Sequence, residues 1–185
     1  MGRRDELASR TRADLLSAAK RLFGERGYLD TKITDIAAAA GRAVGSFYTH
    51  FSDKEQILAV LRGELDAAAP HPADHDATRE HVTACWTAMR THRPTVIALV
   101  QSAVAAAPAS GRFRRELTGW TAPLRRHLED LRDRGEPLPG DPELLAAAVG
   151  AMLAGLNHAL PADDGTLAET ITNLVLHGLT GPSPA

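Results

Sequence analysis

The stretch from Thr31 to Phe51, TKITDIAAAAGRAVGSFYTHF, constrains the fold of this chain more than any other segment. Apolar residues recur at helical spacing before Gly41, and the spacing resumes after it, where Phe47 and Phe51 lie four residues apart. Glycine tolerates the positive φ that a tight turn between two helices requires. The pattern therefore predicts a helix-turn-helix at residues 33–51.

The second helix of this motif, which opens near Val44, has a polar outer face. If the two phenylalanines turn toward a core, four polar side chains point away from it: Ser46, Tyr48, Thr49 and His50. Hydroxyl, phenol and imidazole groups form hydrogen bonds with phosphates and base edges, and a helix this short fits the major groove. The motif is therefore typical of a DNA-binding protein.

Amphipathic segments flank the motif on both sides. A helix is predicted from Thr11 to Arg26, and Gly27 ends it. Its apolar face is formed by Leu15, Ala19, Leu22 and Phe23. A fourth helix is predicted to begin at Lys54, capped by Ser52 or Asp53.

Between Thr11 and about Leu65, three segments follow one another at ungapped spacing: TRADLLSAAKRLFGERGY, DIAAAAG and VGSFYTHFSDKEQIL. In this order they resemble the helix-turn-helix domain of TetR-type (tetracycline-repressor-like) transcriptional regulators. The resemblance implies an N-terminal DNA-binding domain and a C-terminal helical domain that dimerises and binds a small effector in an apolar pocket.

The resemblance also implies a division of labour within the motif. Phosphates would be bound by Thr34, Tyr48, His50 and Lys54. Base edges would be approached by Val44, Gly45, Ser46 and Thr49. A glycine allows close approach to DNA, and a valine methyl can touch the methyl group of thymine.

Three positions depart from the family pattern, which has a threonine at Lys32, an aliphatic residue at Arg42 and a serine cap at Ala43. A guanidinium cannot replace a buried aliphatic group, so Arg42 is expected to swing outward, where it could contact phosphate or guanine. The missing cap at Ala43 costs about 1 kcal/mol.

Charge is distributed unevenly along the chain, whose formal net charge is −2. Residues 1–54 contain ten Lys or Arg against seven Asp or Glu, a net charge of +3, and the remainder carries −5. The basic residues Arg3, Arg4, Arg10 and Arg12 are expected to form an N-terminal arm that reaches phosphates or a minor groove. The alternative is a solvated tail.

The segment AAAPHPADHD, residues 67–76, has two prolines and no helical periodicity, which is typical of a domain boundary. We therefore predict a DNA-binding domain at residues 1–67 and an effector-binding and dimerisation domain at residues 68–185. Further helices are predicted at residues 77–92, 94–107, 111–134, 142–160 and 164–179. No segment alternates as a strand does. The predicted fold class is all-α, with about nine helices.

The helix predicted at residues 142–160 is apolar nearly all round and rich in small residues, so it must be buried in its own core or against a partner. We expect it to form a four-helix homodimer interface with the helix at residues 164–179, as the resemblance also implies. The alternative is an ordinary monomer core.

Large side chains are scarce in the C-terminal half, and seven of them are candidate effector contacts: Trp86, Met89, Phe113, Trp120, Met152, Leu156 and Asn157. Such residues suit an apolar pocket, although each could equally fill the core. The sequence thus predicts a repressor that binds a palindromic operator as a homodimer and is released by a small apolar effector. A regulator that senses no ligand, either a constitutive repressor or an activator, is the alternative.

Other chemistry finds little support in the sequence. A metal site on a helix could be suggested by His71, Asp74, His75 and Asp76, but Pro70 and Pro72 disfavour a helix there. The sequence also shows no pairing of a nucleophile with a base that would indicate an enzyme. Cys85 could be a redox sensor or an inert core residue, and a single cysteine excludes an internal disulfide. We expect a cytoplasmic protein without cofactor, metal or membrane span.

Overall fold

The computed structural model describes residues 2–68, 78–160 and 166–177. Within these ranges the chain forms ten α-helices, a 3-10 turn at Pro108–Ser110 and no strand, so the predicted all-α fold is confirmed. The helices are α1 (Arg3–Arg26), α2 (Ile33–Ala39), α3 (Val44–His50), α4 (Lys54–Ala68), α5 (Thr78–Thr91), α6 (Arg93–Ala105), α7 (Arg112–Trp120), α8 (Ala122–Asp133), α9 (Pro142–Ala159) and α10 (Thr166–His177).

The chain separates into two compact units. The first combines residues 1–68 with residues 92–106, and the second combines residues 69–91 with residues 107–185. The N-terminal unit thus takes in α6, which packs against α1 and α4. The domain division at residues 67 and 68 stays a prediction.

The core of the N-terminal unit is built from one apolar face of each of its helices. In α1 the predicted face is confirmed, since its four members are at most 3% exposed. Helices α2, α3, α4 and α6 pack against α1, and the buried apolar side chains of these elements and of the residue after α3 include Ile36, Ala37, Phe47, Phe51, Ile57, Leu58, Val96 and Ala98. Burial of these groups fixes α2 and α3 on α1, and leaves the opposite face of the motif in solvent.

Helix α1 begins at Arg3, eight residues before the predicted Thr11. The extension is explained by its first turn, in which Asp5 and Glu6 face the positive end of the helix dipole and the Asp5 carboxylate accepts a hydrogen bond of 3.1 Å from the Gly2 N–H. The basic residues predicted to form an arm therefore lie on a helix, which corrects the expected conformation.

In the second unit, α9 packs against α7 and α8, and α5 packs against α8, α9 and α10. Leu124 and Leu128 of α8 form a cluster with Ala146 of α9. A Cβ atom at Gly150 would lie 2.4 Å from Cγ2 of Thr121, so only glycine allows α9 to approach the α7–α8 junction this closely. Gly150 therefore serves the internal packing of this unit.

One predicted helix, at residues 111–134, is two helices in the structure. Helix α7 ends at Trp120 and α8 begins at Ala122, with Pro123 in its first turn. Proline has no N–H to donate and disfavours helical backbone at the residue before it, so the chain breaks near Thr121. The described ranges hence contain ten α-helices, whereas about nine were predicted.

Candidate nucleic-acid interface

The turn between α2 and α3 is held by backbone hydrogen bonds and one glycine. Gly41 has a φ of 65°, and the Arg42 N–H donates to the Ala37 carbonyl at 2.9 Å, which closes the end of α2. Ala43 is in extended conformation and its side chain makes no cap hydrogen bond to α3. The predicted absence of a cap is confirmed.

Helix α3 has one face in the core and one face in solvent. Phe47 is fully buried, and Phe51, just beyond the helix end, is 2% exposed, while the Tyr48 side chain is 58% exposed. Val44, Gly45 and Thr49 are exposed, and Ser46 and His50 are half-buried. The residues of α3 that were predicted to contact DNA hence lie on, or at the edge of, its outer face.

Two residues of this face, Gly45 and Thr49, leave open space and hydrogen-bond acceptors on the surface of α3. Gly45 has a negative φ, and a Cβ atom at this position would have no heavy atom within 4 Å, so the fold does not require glycine here. The Thr49 hydroxyl donates to the Gly45 carbonyl at 3.2 Å, which leaves its oxygen lone pairs available as acceptors. The surface around Gly45 is open to close approach by another molecule.

Arg42 is turned toward α1 by an acidic partner that sequence reasoning missed. Its Nη2 lies 2.8 Å from Oδ2 of Asp14, and both side chains remain about one-third exposed. This ion pair explains how the turn accommodates a guanidinium where the family has an aliphatic residue. Only the tertiary structure could bring the two together, because they are 28 residues apart.

Lys54, at the first position of α4, points into the N-terminal unit. Its Nζ donates to the Tyr28 carbonyl at 2.5 Å and to the Thr31 carbonyl at 2.9 Å, and lies 4.1 Å from the centroid of the Tyr28 ring. Burial lowers the pKa of the Lys54 ammonium, although the charges of Asp30 and Glu55 act in the opposite direction.

The remaining predicted DNA contacts lie around the motif. Thr34 is in the first turn of α2, beside an open cleft of about 390 Å³ that Lys32 and Lys54 also line. Arg3, Arg4 and Arg12 are exposed along α1, and the Arg12 guanidinium lies over the Phe51 ring at 5.2 Å. The Arg12 side chain is thereby held beside the end of α3.

The predicted effector contacts are distributed differently through the second unit. Trp86, Met89 and Asn157 are buried, Trp120, Met152 and Leu156 are half-buried, and Phe113 is 41% exposed. Arg90, which the sequence analysis did not single out, donates to the Leu160 carbonyl at 2.9 Å, approaches Asn157 Oδ1 at 3.5 Å and lies 5.6 Å from the Trp86 ring.

The structure also bears on the metal-site and membrane-span questions raised by the sequence. In the ranges that the structure describes, no three His, Cys, Asp or Glu side chains gather as metal ligands would. His71, Asp74, His75 and Asp76 lie outside the described residues. None of the described helices has the length and apolar character needed to cross a bilayer.

An α1 with one buried apolar face, a glycine turn and an exposed outer face of α3 together form a helix-turn-helix, the motif by which many proteins bind DNA. Residues 15–61 match the family model described as bacterial regulatory proteins, tetR family. Together with the relatives described next, this match shows that the N-terminal region of the chain is a TetR-type helix-turn-helix domain.

Two curated relatives share the N-terminal region. The transcriptional regulator TtgR of Pseudomonas putida is 35% identical over 80 residues, which cover 43% of this chain and 38% of the relative. The transcriptional repressor KstR2 of Rhodococcus jostii is 50% identical over 56 residues, 30% of this chain and 28% of the relative. The matched region thus spans less than two-fifths of either relative.

Among solved structures, the fatty acid degradation regulator FadR from Bacillus halodurans superposes with a TM-score of 0.73. The alignment covers 93% of this chain and 97% of that protein at 18% sequence identity. A likeness at this identity extends the shared fold to both units of the chain, and says nothing of the effector.

Proposed function

We propose that this chain is a ligand-responsive repressor that binds a palindromic operator as a homodimer and is released by a small apolar effector. The observation that carries the proposal is the outer face of α3, where Tyr48 is 58% exposed and Val44 38% exposed beside an open glycine. Large side chains left in solvent on a short, rigidly supported helix are available to a nucleic acid. No catalytic role is proposed.

Within this interface, Val44, Gly45, Ser46 and Thr49 would contact base edges. Phosphates would be bound by Thr34, Tyr48 and His50, together with the α1 residues Arg3, Arg4 and Arg12. Phosphate contacts set the register of a protein on DNA, and base contacts supply sequence preference. Arg42 was predicted as a further DNA contact, and only the part of its guanidinium that Asp14 does not engage would be available to DNA.

The proposed homodimer uses an apolar stripe on α9 that faces solvent in the single chain. Leu144 is 69% exposed, and Ala148, Ala151 and Gly155 continue the stripe at helical spacing. Exposed apolar stripes of this kind mark contact surfaces, and small residues let two helices approach closely. The stripe would pair with its symmetry mate and with α10 of each subunit, residues 142–160 and 164–179 in the predicted ranges.

The proposed effector would bind within the helical bundle of residues 68–185. Trp86 and Met89 on α5, and Met152, Leu156 and Asn157 on α9, are carried by two helices that pack together, and Trp120 lies on α7, which also packs on α9. Phe113 is exposed and would contact an effector only at the edge of the bundle. An effector that prefers one conformation of this bundle would shift the population away from the DNA-bound form.

Selection of duplexes from random DNA at two salt concentrations tests the DNA-binding part of the proposal. We expect a palindromic motif whose half-sites are about one helical turn, ~34 Å, apart, because a two-fold dimer presents two copies of α3. The affinity should fall steeply as salt rises, since bound phosphates release counterions. Recovery of no motif at either salt concentration would refute it.

Thermal unfolding with a library of small apolar compounds tests the effector part. A compound that binds the native state raises the melting temperature by mass action, and the proposed effector should also release the selected duplex. Stabilising compounds that leave the protein on DNA would instead favour the alternative, a dimeric regulator that responds to no ligand.

A further inference from the structure

The Lys54 ammonium makes three contacts inside the N-terminal unit. An ammonium has three N–H groups. Two of them meet the Tyr28 and Thr31 carbonyls at 2.5 and 2.9 Å, and the ammonium also lies 4.1 Å from the centroid of the Tyr28 ring. A cation over an aromatic face is attracted by its quadrupole. A phosphate would therefore have to compete with these partners for the ammonium.

The loop that Lys54 holds, residues 27–31, is also held by α6 and by a hydrogen bond of its own. The Tyr28 N–H donates to Oε1 of Gln101 on α6 at 2.6 Å, and the Thr31 hydroxyl donates to the Gly27 carbonyl at 2.7 Å. A Cβ atom at Gly27 would lie 2.9 Å from Gln101 Oε1, so the fit is tight. The loop leads directly into α2, the helix that supports α3.

We propose that Lys54 is a positioning residue for DNA binding, which acts through the loop of residues 27–31 together with Gln101, and that it does not bind phosphate. The inference rests on the proposed function, because it concerns how the interface is held against DNA. It differs from the role that family resemblance implies for this lysine. In this chain the ammonium joins the start of α4 to the loop before α2, and Gln101 joins α6 to the same loop.

Salt titrations of DNA affinity separate the two roles of Lys54. We would compare the wild type with Lys54→Met, Gln101→Leu and the double variant, on the selected duplex and on random DNA. Lys32→Met is the matched control, because it removes a lysine charge from the same cleft without touching the loop contacts. All affinities would be measured at a temperature at which circular dichroism finds every variant folded.

Loss of a positioning group lowers affinity at every salt concentration and leaves the slope of log K against log[salt] unchanged. We expect Lys54→Met to bind about tenfold more weakly, the loss that a charged hydrogen bond typically carries. Gln101→Leu should behave alike, and the double variant should lose less than the product of the two single effects, since both residues hold one loop.

Two results with a DNA-binding wild type would overturn the inference alone. A slope that is shallower by about 0.9 in Lys54→Met, with effects that multiply in the double variant, would show a phosphate contact. An unchanged affinity and slope with a lower melting temperature would show a role in stability only. Absence of salt-dependent binding by the wild type would instead overturn the proposed function, and the inference with it.

Discussion

At the scale of single residues, Gly45 is the position where folding stability and DNA affinity are expected to favour different side chains. Its conformation is available to any residue and no neighbour restricts a side chain there, so the fold gains nothing from glycine. Glycine in a helix is less stable than alanine because it loses more backbone entropy. Its presence on the exposed face of α3 is explained if DNA needs the space.

We therefore expect Gly45→Ala to raise the free energy of unfolding by about 0.5–1 kcal/mol, and to weaken binding to the selected duplex by about tenfold. Urea unfolding and DNA titration measure the two effects. Gly63→Ala is the control, because Gly63 is also helical, with open space at its Cβ, but lies in α4. It should gain stability without losing affinity; an unaffected affinity in Gly45→Ala would contradict the assignment.

Cys85 is a second residue whose surroundings lead to a prediction. Burial raises the pKa of its thiol from 9.0 to about 11. Well below pH 9 the Cys85 thiol is neutral in both the folded and the unfolded state, so its ionisation does not change the free energy of unfolding with pH. As pH rises from about 9 toward 11 the unfolded chain ionises first, and stability is lost.

Between about pH 8 and about pH 10, the wild type should lose about 1 kcal/mol more stability than Cys85→Ala. Urea unfolding of both proteins at the two pH values measures this difference. Equal pH dependence would mean that the thiol ionises normally in the native state, and would restore Cys85 as a candidate reactive cysteine.

At the scale of helices, the two motifs that start α3 and α9 form a natural comparison. Ala43 has the extended backbone of an N-cap but no side-chain acceptor, whereas Asp141 accepts hydrogen bonds from the N–H groups of Glu143 and Leu144 at 3.0 and 3.2 Å. A side-chain oxygen at this position satisfies backbone donors that the helix itself cannot.

Ala43→Ser should therefore raise the free energy of unfolding by about 1 kcal/mol, and Asp141→Ala should lower it by a similar amount. Chemical denaturation measures both changes. Ala43→Gly serves as the control for backbone effects at the same position. A serine variant no more stable than the wild type would mean that packing already fixes the start of α3.

At the scale of the whole molecule, the exposed stripe on α9 predicts the oligomeric state. Replacing Ala151 by glutamate places a charge in the centre of the proposed interface, and a buried unpaired charge costs several kcal/mol. We expect Ala151→Glu to be a folded monomer under conditions where the wild type is a dimer, as measured by analytical ultracentrifugation.

Ala13→Glu is the matched control for this variant, because it introduces the same charge at an exposed helical alanine of α1. It should remain dimeric. Dimers formed by both variants would place the interface elsewhere, and a monomeric wild type would argue that the stripe is merely solvent-exposed surface.

The parts of the fold that the sequence predicted best depend on local signals. The predicted starts of α3, α4 and α9 agree with the structure, because glycine, proline and capping side chains act within a few residues. The break at Pro123 is also a local signal, but the helical pattern on either side of it concealed the break. The extension of α1 to Arg3 was missed because its first residues carry no apolar face.

The candidate interface was predictable in composition but not in its internal contacts. Periodicity alone placed Tyr48 and Thr49 outside and Phe47 inside, since a helix of known phase has only one buried face. The Arg42–Asp14, Lys54–Tyr28 and Tyr28–Gln101 contacts join residues 28, 26 and 73 positions apart. No local pattern carries information at those distances.

The sequence by itself determined that this chain is all-α, that its N-terminal region contains a helix-turn-helix and which face of α3 is exposed. These properties follow from the spacing of apolar residues and from turn chemistry, which act along the chain. Only the tertiary structure decided that Arg42 pairs with Asp14, that α6 completes the N-terminal unit and that Lys54 points inward. Those outcomes depend on which helices meet in space, because hydrogen bonds and ion pairs form wherever packing brings a donor within about 3 Å of an acceptor.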